Sequence, residues 1–141
     1  MLKMIVAHED LKPVIGTEGS AGYDLKLSTD TLIPVGKKLK VGTGVKVEIP
    51  TGFVGIVVPR SSTGKKGIEL TNTVGIIDSD YQGEIFLELF NKGYEPFLAF
   101  RGDRVVQLVI VPCFNKKIMY VDKFNKETSR GSGGFGSTGE K

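Results

Sequence analysis

Apolar and polar residues alternate along much of this chain with a period of two, and no stretch sustains a helical period. Val45-Lys46-Val47-Glu48-Ile49 alternates strictly, which predicts a half-exposed strand within Lys40–Ile49. Glu84–Asn91 reads as another, with Ile85, Leu87 and Leu89 on one face and Phe86, Glu88 and Phe90 on the other. Phe53–Pro59 is nearly all apolar and predicts a strand buried on both faces. Met4–Ala7, the run from Ala21 to Leu27, Leu32–Pro34, Pro96–Phe100 and Arg104–Pro112 continue the pattern, and Lys116–Asp122 reads as the last strand. Turn signals recur every few residues. The expected fold is all-β, a sandwich, jelly-roll or barrel with at most one short helix. Apolar residues on both faces of several strands point to burial against another subunit.

One stretch interrupts the alternation with chemistry. From Asn72 to Phe86, the β-formers Val74, Ile76 and Ile77 lead into Asp78-Ser79-Asp80, and Ile85 begins the next strand. The pattern predicts a hairpin with Asp78, Asp80 and Tyr81 at its mouth. Gly75 and Gly83 leave room there for something to lie against bare backbone. A plain hydrophilic turn has the same composition.

Other polar residues sit where a strand would not choose them. Asp24 lies in a half-buried strand, either facing water or kept for a partner. Arg60-Ser61-Ser62-Thr63 follows the buried strand directly, as an anion site or as a short capped helix or turn. Gln107 stands inside Val-Val-Gln-Leu-Val-Ile-Val, where its amide needs a neighbouring loop or a ligand.

Composition bounds the rest. With 141 residues and 40% hydrophobic content, the chain is one domain with material for a real core. A net charge of +3 without basic blocks requires no direct nucleic-acid binding. The single histidine, His8, excludes a histidine metal cage or a Ser-His-Asp triad. The single cysteine, Cys113, beside Val111 and Phe114, reads as a buried thiol and fits a cytoplasmic protein. No apolar run reaches membrane-spanning length.

Past Lys123 little remains to build a core. We expect a body at 1–122 and a flexible glycine-rich arm at 123–141. Arg130 to Gly139 holds five glycines around Phe135, a composition that also suits a plain tail. Phe135 can stack on a flat ring while glycyl N–H groups, Arg130, Ser137 and Thr138 wrap a polyphosphate. Ordering such a segment costs roughly 10–20 kcal/mol, against about 1–3 kcal/mol from one stacked base. The arm is therefore expected to close only over a phosphate-rich ligand, as a lid.

Five blocks in order carry a resemblance. Ala21-Gly22-Tyr23-Asp24-Leu25, Pro59-Arg60-Ser61-Ser62, Gly75 through Glu84, Gly102-Asp103-Arg104-Val105-Val106-Gln107-Leu108 and the tail from Arg130 to Gly139 together resemble the trimeric dUTPase family. The sequence departs at Ser62-Thr63, where family members commonly carry Gly and an apolar residue. The resemblance implies a jelly-roll-like barrel and a homotrimer with active sites between subunits. It implies hydrolysis of dUTP to dUMP and pyrophosphate, which keeps uracil out of DNA and feeds dTTP synthesis. Asp78 would be the general base for attack on the α-phosphate. Mg²⁺ would be held mainly by substrate phosphates, with Asp24 reaching it through water and Asp80 at structural distance. Arg60, Ser61, Ser62 and Gln107 would hold phosphates, while Arg130, Phe135, Gly136, Ser137 and Thr138 would close over the substrate. Uracil would lie among Asn72, Gly75, Ile76, Ile77 and Phe86, and Tyr81 would pack under the sugar. Two other readings stay open: a dCTP deaminase, which shares the fold but should lack this Tyr81 and the full arm, and a nucleotide-responsive interaction protein without catalysis.

Overall fold

The computed structural model describes residues 1–114 and 117–134. In chain order the strands are β1 (Lys3–Val6), β2 (Tyr23–Lys26), β3 (Thr31–Ile33), β4 (Lys38–Glu48), β5 (Phe53–Pro59), β6 (Ile68–Leu70), β7 (Gly75–Ile77), β8 (Glu84–Asn91), β9 (Phe97–Ala99) and β10 (Arg104–Pro112). A five-residue helix, α1 (Ser61–Lys65), separates β5 from β6, and Glu9–Leu11 forms a 3₁₀ turn. No helix among the described residues is long and apolar enough to cross a membrane.

The expected all-β architecture is present. One sheet has the order β1-β4-β8-β6, a second β2-β10-β5-β7, and β3-β9 make a separate ribbon. Every strand pair is antiparallel. The alternation read from the sequence becomes an inside and an outside: Ile85, Leu87 and Leu89 of β8 are buried, and Phe86 and Glu88 are exposed. They meet Leu25, Val106 and Leu108 of the second sheet in one core. Completely burying a leucine contributes about 1.5–3 kcal/mol, so this shared interior drives the two sheets together. Buried polar side chains are answered: Asn91 Nδ2 donates to the Ile33 carbonyl at 2.9 Å and the Glu95 carbonyl at 2.8 Å. No buried side-chain nitrogen or oxygen lacks a partner among the described residues.

Several expectations need correction. Strand β5 is not buried on both faces: Gly55 and Val57 are buried, while Val54, Ile56 and Val58 are only half-covered and Phe53 is exposed. Their uncovered face is apolar, which is why an apolar run alone reads as burial on both sides. Residues 117–122 form no strand; Ile118, Met119, Tyr120 and Val121 are exposed, and regular structure ends at Pro112. A strand needs a neighbouring edge, and within one chain this segment finds none. Cys113 is exposed rather than buried, because β10 ends just before it. The short strand β6 went unread, since three residues carry too little periodicity.

The 3₁₀ turn is tied to the β9–β10 connection by a fork. Arg101 donates from Nε to Asp10 Oδ2 at 2.9 Å and from Nη2 to Oδ1 at 3.1 Å, and from Nη1 to the Ser28 carbonyl at 2.7 Å. The Arg101 hydrogen bonds hold the Asp10 carboxyl below its ordinary value of 3.8. A carboxylate lowered in the folded state stabilises the fold above its ordinary pKa, and that contribution disappears as pH falls through the folded value. Asp10→Asn should therefore lower the melting temperature at pH 7, and the gap to the parent should close as the pH is taken below about 4. A thermal-melt series across pH checks both halves of that statement.

Candidate active site

The stretch from Asn72 to Phe86 forms two extended arms around a polar turn, but the arms do not pair with each other. Strand β7 pairs with β5, setting Val57 opposite Gly75, Ile56 opposite Ile76 and Gly55 opposite Ile77. Strand β8 pairs with β4 and β6 in the other sheet. The expected hairpin ladder is thus replaced by a cleft of ≈ 380 Å³, lined by Asn72, Gly75 and Ile77 from one side and Ile85, Phe86 and Leu87 from the other. Ile76 points to the opposite face of β7 and is not among the lining residues. At the rim the Lys40 ammonium stands 4.6 Å from the Phe86 ring centroid. Nearby, the Thr71 hydroxyl donates to Glu88 at 2.7 Å, and together with Lys38 it holds that carboxyl below its ordinary value.

The turn itself is closed by the Tyr81 N–H donating to the Asp78 carbonyl at 3.1 Å. Asp78 and Asp80 are exposed, and neither has an ion-pair partner among the described residues. The Tyr81 hydroxyl donates to the Glu84 carbonyl at 2.7 Å. Its ring covers Gly83, where any Cβ would strike the phenol. The space over Gly83 is therefore filled by Tyr81, and that over Gly75 by Val57, rather than left for a ligand. Ahead of β7, Thr73 has a φ of 66°, and Val74 N–H donates back to the Asn72 carbonyl at 2.6 Å. This is a γ-turn of the strained, positive-φ kind at a β-branched residue.

A second cluster assembles on the other side of β5. In the ladder β2–β10–β5, Asp24, Gln107 and Val58 are directly opposite one another, so Asp24 and Gln107 share a face. Asp24 is buried, with Oδ2 3.1 Å from Arg60 Nε and 3.3 Å from Arg104 Nη1. The open choice for this aspartate is thereby decided: it turns from water and takes two guanidinium groups. Arg60 is held further by Nη1 donating to the Arg104 carbonyl at 3.1 Å. Arg104 received no role from the sequence. The signal was available, since a strand aspartate needs a cation and Arg104 opens the strand beside it.

Ser61 and Ser62 are exposed on the first turn of α1, whose N-cap, Arg60, makes no side-chain cap bond. Thr63 is buried, so it occupies the position the resemblance gave to an apolar residue. Gln107 is half-buried beside them. Continuing the β5–β7 register by one residue sets Asp78 opposite Val54, whereas Gln107 is opposite Val58. Four residues of extended strand span about 13 Å. Within one chain the Asp78 turn and the Arg60–Ser61–Gln107 cluster therefore lie at opposite ends of β5. Arg130 is exposed at a turn in which Gly133 N–H donates to its carbonyl at 3.0 Å. Phe135, Gly136, Ser137 and Thr138 lie outside the described residues.

The dUTPase family profile matches residues 11–139. The chain belongs to the dUTPase family. It is 43% identical over 148 residues to the deoxyuridine 5'-triphosphate nucleotidohydrolase of Escherichia phage T5, covering 100% of both sequences. The enzyme of the same name from Shewanella pealeana is 44% identical over 133 residues, covering 92% of this chain and 87% of that one. Among solved structures, Staphylococcus bacteriophage 80alpha dUTPase with dUpNHpp superposes with a TM-score of 0.90 at 24% identity, over 99% of this chain and 98% of that one. A mutant dUTPase from phage phi11 of S. aureus, described as coordinating a structural Mg(II) ion, gives 0.80 at 24% identity over 88% and 98%. Those two likenesses establish the shared fold; the sequence relatives establish the family and an enzyme that hydrolyses dUTP.

A dUTPase must hold a triphosphate, and the donors here suit a hard cation shared with phosphate. No group of three or more His, Cys, Asp or Glu residues among the described residues could cage a metal. Asp24 is buried with Oδ2 engaged by Arg60 and Arg104, so this face offers little direct ligation, which fits a Mg²⁺ carried mostly by phosphate and water.

The γ-turn fixes the approach to the cleft at the expense of backbone strain. Thr73→Gly relieves a conformation costing of order 1–3 kcal/mol and adds roughly 0.5–1 kcal/mol of chain entropy. The variant should melt at the parent temperature or above it. A fall of several degrees in a thermal melt would show that the threonine side chain holds the turn.

Proposed function

We propose that this dUTPase hydrolyses dUTP to dUMP and pyrophosphate by water attack on the α-phosphate, with Asp78 as the general base. The observation that carries the proposal is the Asp78 carboxylate itself, next in the chain to the cleft-lining Ile77, exposed and free of any ion pair among the described residues. A general base must reach water, and an exposed carboxylate with no cation occupying its oxygens can do so.

Uracil binds in the cleft among Asn72, Gly75, Ile77 and Phe86, with the Ile76 backbone at its edge. Strand β7 is the last strand of its sheet, so its outer edge offers N–H and C=O groups that pair with no strand among the described residues. Such a row can pair with uracil and leave cytosine mismatched, a difference worth about 10⁴–10⁵-fold when buried. Tyr81 packs under deoxyribose, where a 2′-hydroxyl would clash.

Phosphates bind to Arg60, Ser61, Ser62 and Gln107. Asp24 takes two cations, so the cluster keeps a net positive charge that favours a polyphosphate. Mg²⁺, when bound, neutralises charge on the triphosphate and its departing pyrophosphate. Asp24 would reach it through water, while Asp80 stays at structural distance.

The two half-sites, about 13 Å apart along β5, support a homotrimer in which one subunit's Asp78 cleft faces another's phosphate cluster. The half-covered apolar face of Val54, Ile56 and Val58 and the unpaired segment Ile118–Val121 supply surfaces for that assembly. The body at 1–122 then presents the site, and the arm at 123–141 closes over it through Arg130, Phe135, Gly136, Ser137 and Thr138. The reading places the enzyme in the cytoplasm, where a lone Cys113 stays reduced.

Asp78→Asn should leave dUTP binding within a few-fold of the parent and lower kcat by about 10²–10⁴. In ¹⁸O-labelled water the parent should place the label in dUMP; label in pyrophosphate would refute attack at the α-phosphorus. Truncation before Arg130 should give the same oligomer by light scattering with little dUTP turnover, and full turnover in that variant would remove the lid.

A further inference from the structure

Tyr81 is held by more than its own turn. Its hydroxyl is bonded to the Glu84 carbonyl and its ring lies on Gly83, so the ring goes where the Glu84 backbone goes. Glu84 is in turn gripped by its side chain. Its Oε1 accepts the Gly44 N–H at 2.8 Å. Gly44 belongs to a bulge in β4: the register with β8 passes from Gly42 opposite Phe86 to Lys46 opposite Glu84, leaving Thr43, Gly44 and Val45 against Ile85 alone. Gly44 has a φ of 69°, which only glycine adopts without strain. Thr43 closes the bulge from the inside, its hydroxyl donating to the Ile85 carbonyl at 2.8 Å. Gly42 has no Cβ where one would collide with the Glu84 carboxylate. Two glycines and a threonine thus make a seat for one carboxylate, at the base of the arm that carries the aromatic ring.

A bulge disrupts a ladder and leaves backbone groups without partners. Glu84 answers one of them, and by doing so fixes its own main chain. Steric selection between deoxyribose and ribose turns on a single oxygen, so the ring beneath the sugar must be fixed to within about 0.5 Å. A tyrosine on an otherwise exposed turn does not meet that demand unless its anchor is rigid.

We propose that Glu84 is a positioning residue for sugar recognition: clamped on the Gly44 N–H, it fixes the carbonyl that holds the Tyr81 hydroxyl and so sets the clearance that excludes the 2′-hydroxyl. The inference rests on the reading that Tyr81 packs under the sugar. Glu84→Ala leaves the Gly44 N–H without its acceptor and lets the base of the arm move. Glu84→Gln keeps an oxygen at the same reach, so the clamp survives without the charge.

The test is kcat and KM for dUTP and UTP in the full-length parent, Glu84→Ala, Glu84→Gln, Tyr81→Phe, Tyr81→Ala and the Glu84→Ala/Tyr81→Phe double variant, with oligomeric state and melting temperature for each. Glu84→Ala should reduce the dUTP-over-UTP ratio of kcat/KM by roughly tenfold, the equivalent of one lost hydrogen bond. Glu84→Gln should restore the ratio. Tyr81→Phe should lower it by a similar factor, and the double variant should be no worse than either single one, because both changes cut one chain of support. A folded Glu84→Ala enzyme with the parent ratio, beside a Tyr81→Ala enzyme that has lost it, overturns the role of Glu84 and leaves Tyr81 as the sugar reader. A parent ratio in Tyr81→Ala overturns the sugar reading and this inference with it. Should Glu84→Ala fail to assemble, Tyr81→Phe decides, since an unchanged ratio there means the hydroxyl anchor takes no part.

Discussion

Strands β7 and β8 leave the Asp78 turn for different sheets, and the cleft between them exists because of that divergence. Two arms bonded to each other would close on their own hydrogen bonds and leave no room between them. Here β7 pairs with β5, and β8 pairs with β4 along most of its length and with β6 at Leu89–Asn91. Each arm is therefore stabilised from outside the cleft. The cost falls on the connections, where the chain turns through Thr73 at a φ of 66° and crosses the bulge opposite Ile85. Strain and irregular register sit next to the chemistry, where the surrounding sheets can hold them.

The second constraint is electrostatic. Asp24 would be costly in a strand if it stood alone, and its burial is tolerable because Arg60 and Arg104 converge on one of its oxygens. That arrangement also fixes Arg60 at the end of β5, directly before the exposed hydroxyls of α1. One buried carboxylate thus orders Arg60 and leaves the cluster with positive charge to spare. The register of β5 keeps that cluster and the cleft apart within a single chain.

Much of this was legible in the residues because it rests on local rules. Alternation marked β8 and the second half of β4, turn chemistry marked the Asp78 loop, and the polar exceptions Asp24 and Gln107 stood out because strands disfavour them. What escaped depended on distant partners. The pairing of β7 away from β8, the exposure of Cys113 and the absence of a strand at 117–122 each depend on which edge lies alongside, and that edge is far along the chain. Glu84 shows the same limit: it reads as an outward strand residue, and only the bulge forty positions earlier gives its carboxylate a seat.

By itself the sequence determined an all-β domain and its main strand faces, since residue type and period-two spacing suffice for those. Only the tertiary structure decided that the site is split along β5, that Asp24 faces two arginines and that Tyr81 is anchored through Glu84. Strand pairing and ion pairing join residues tens of positions apart, and no local pattern along the chain encodes which of them will meet.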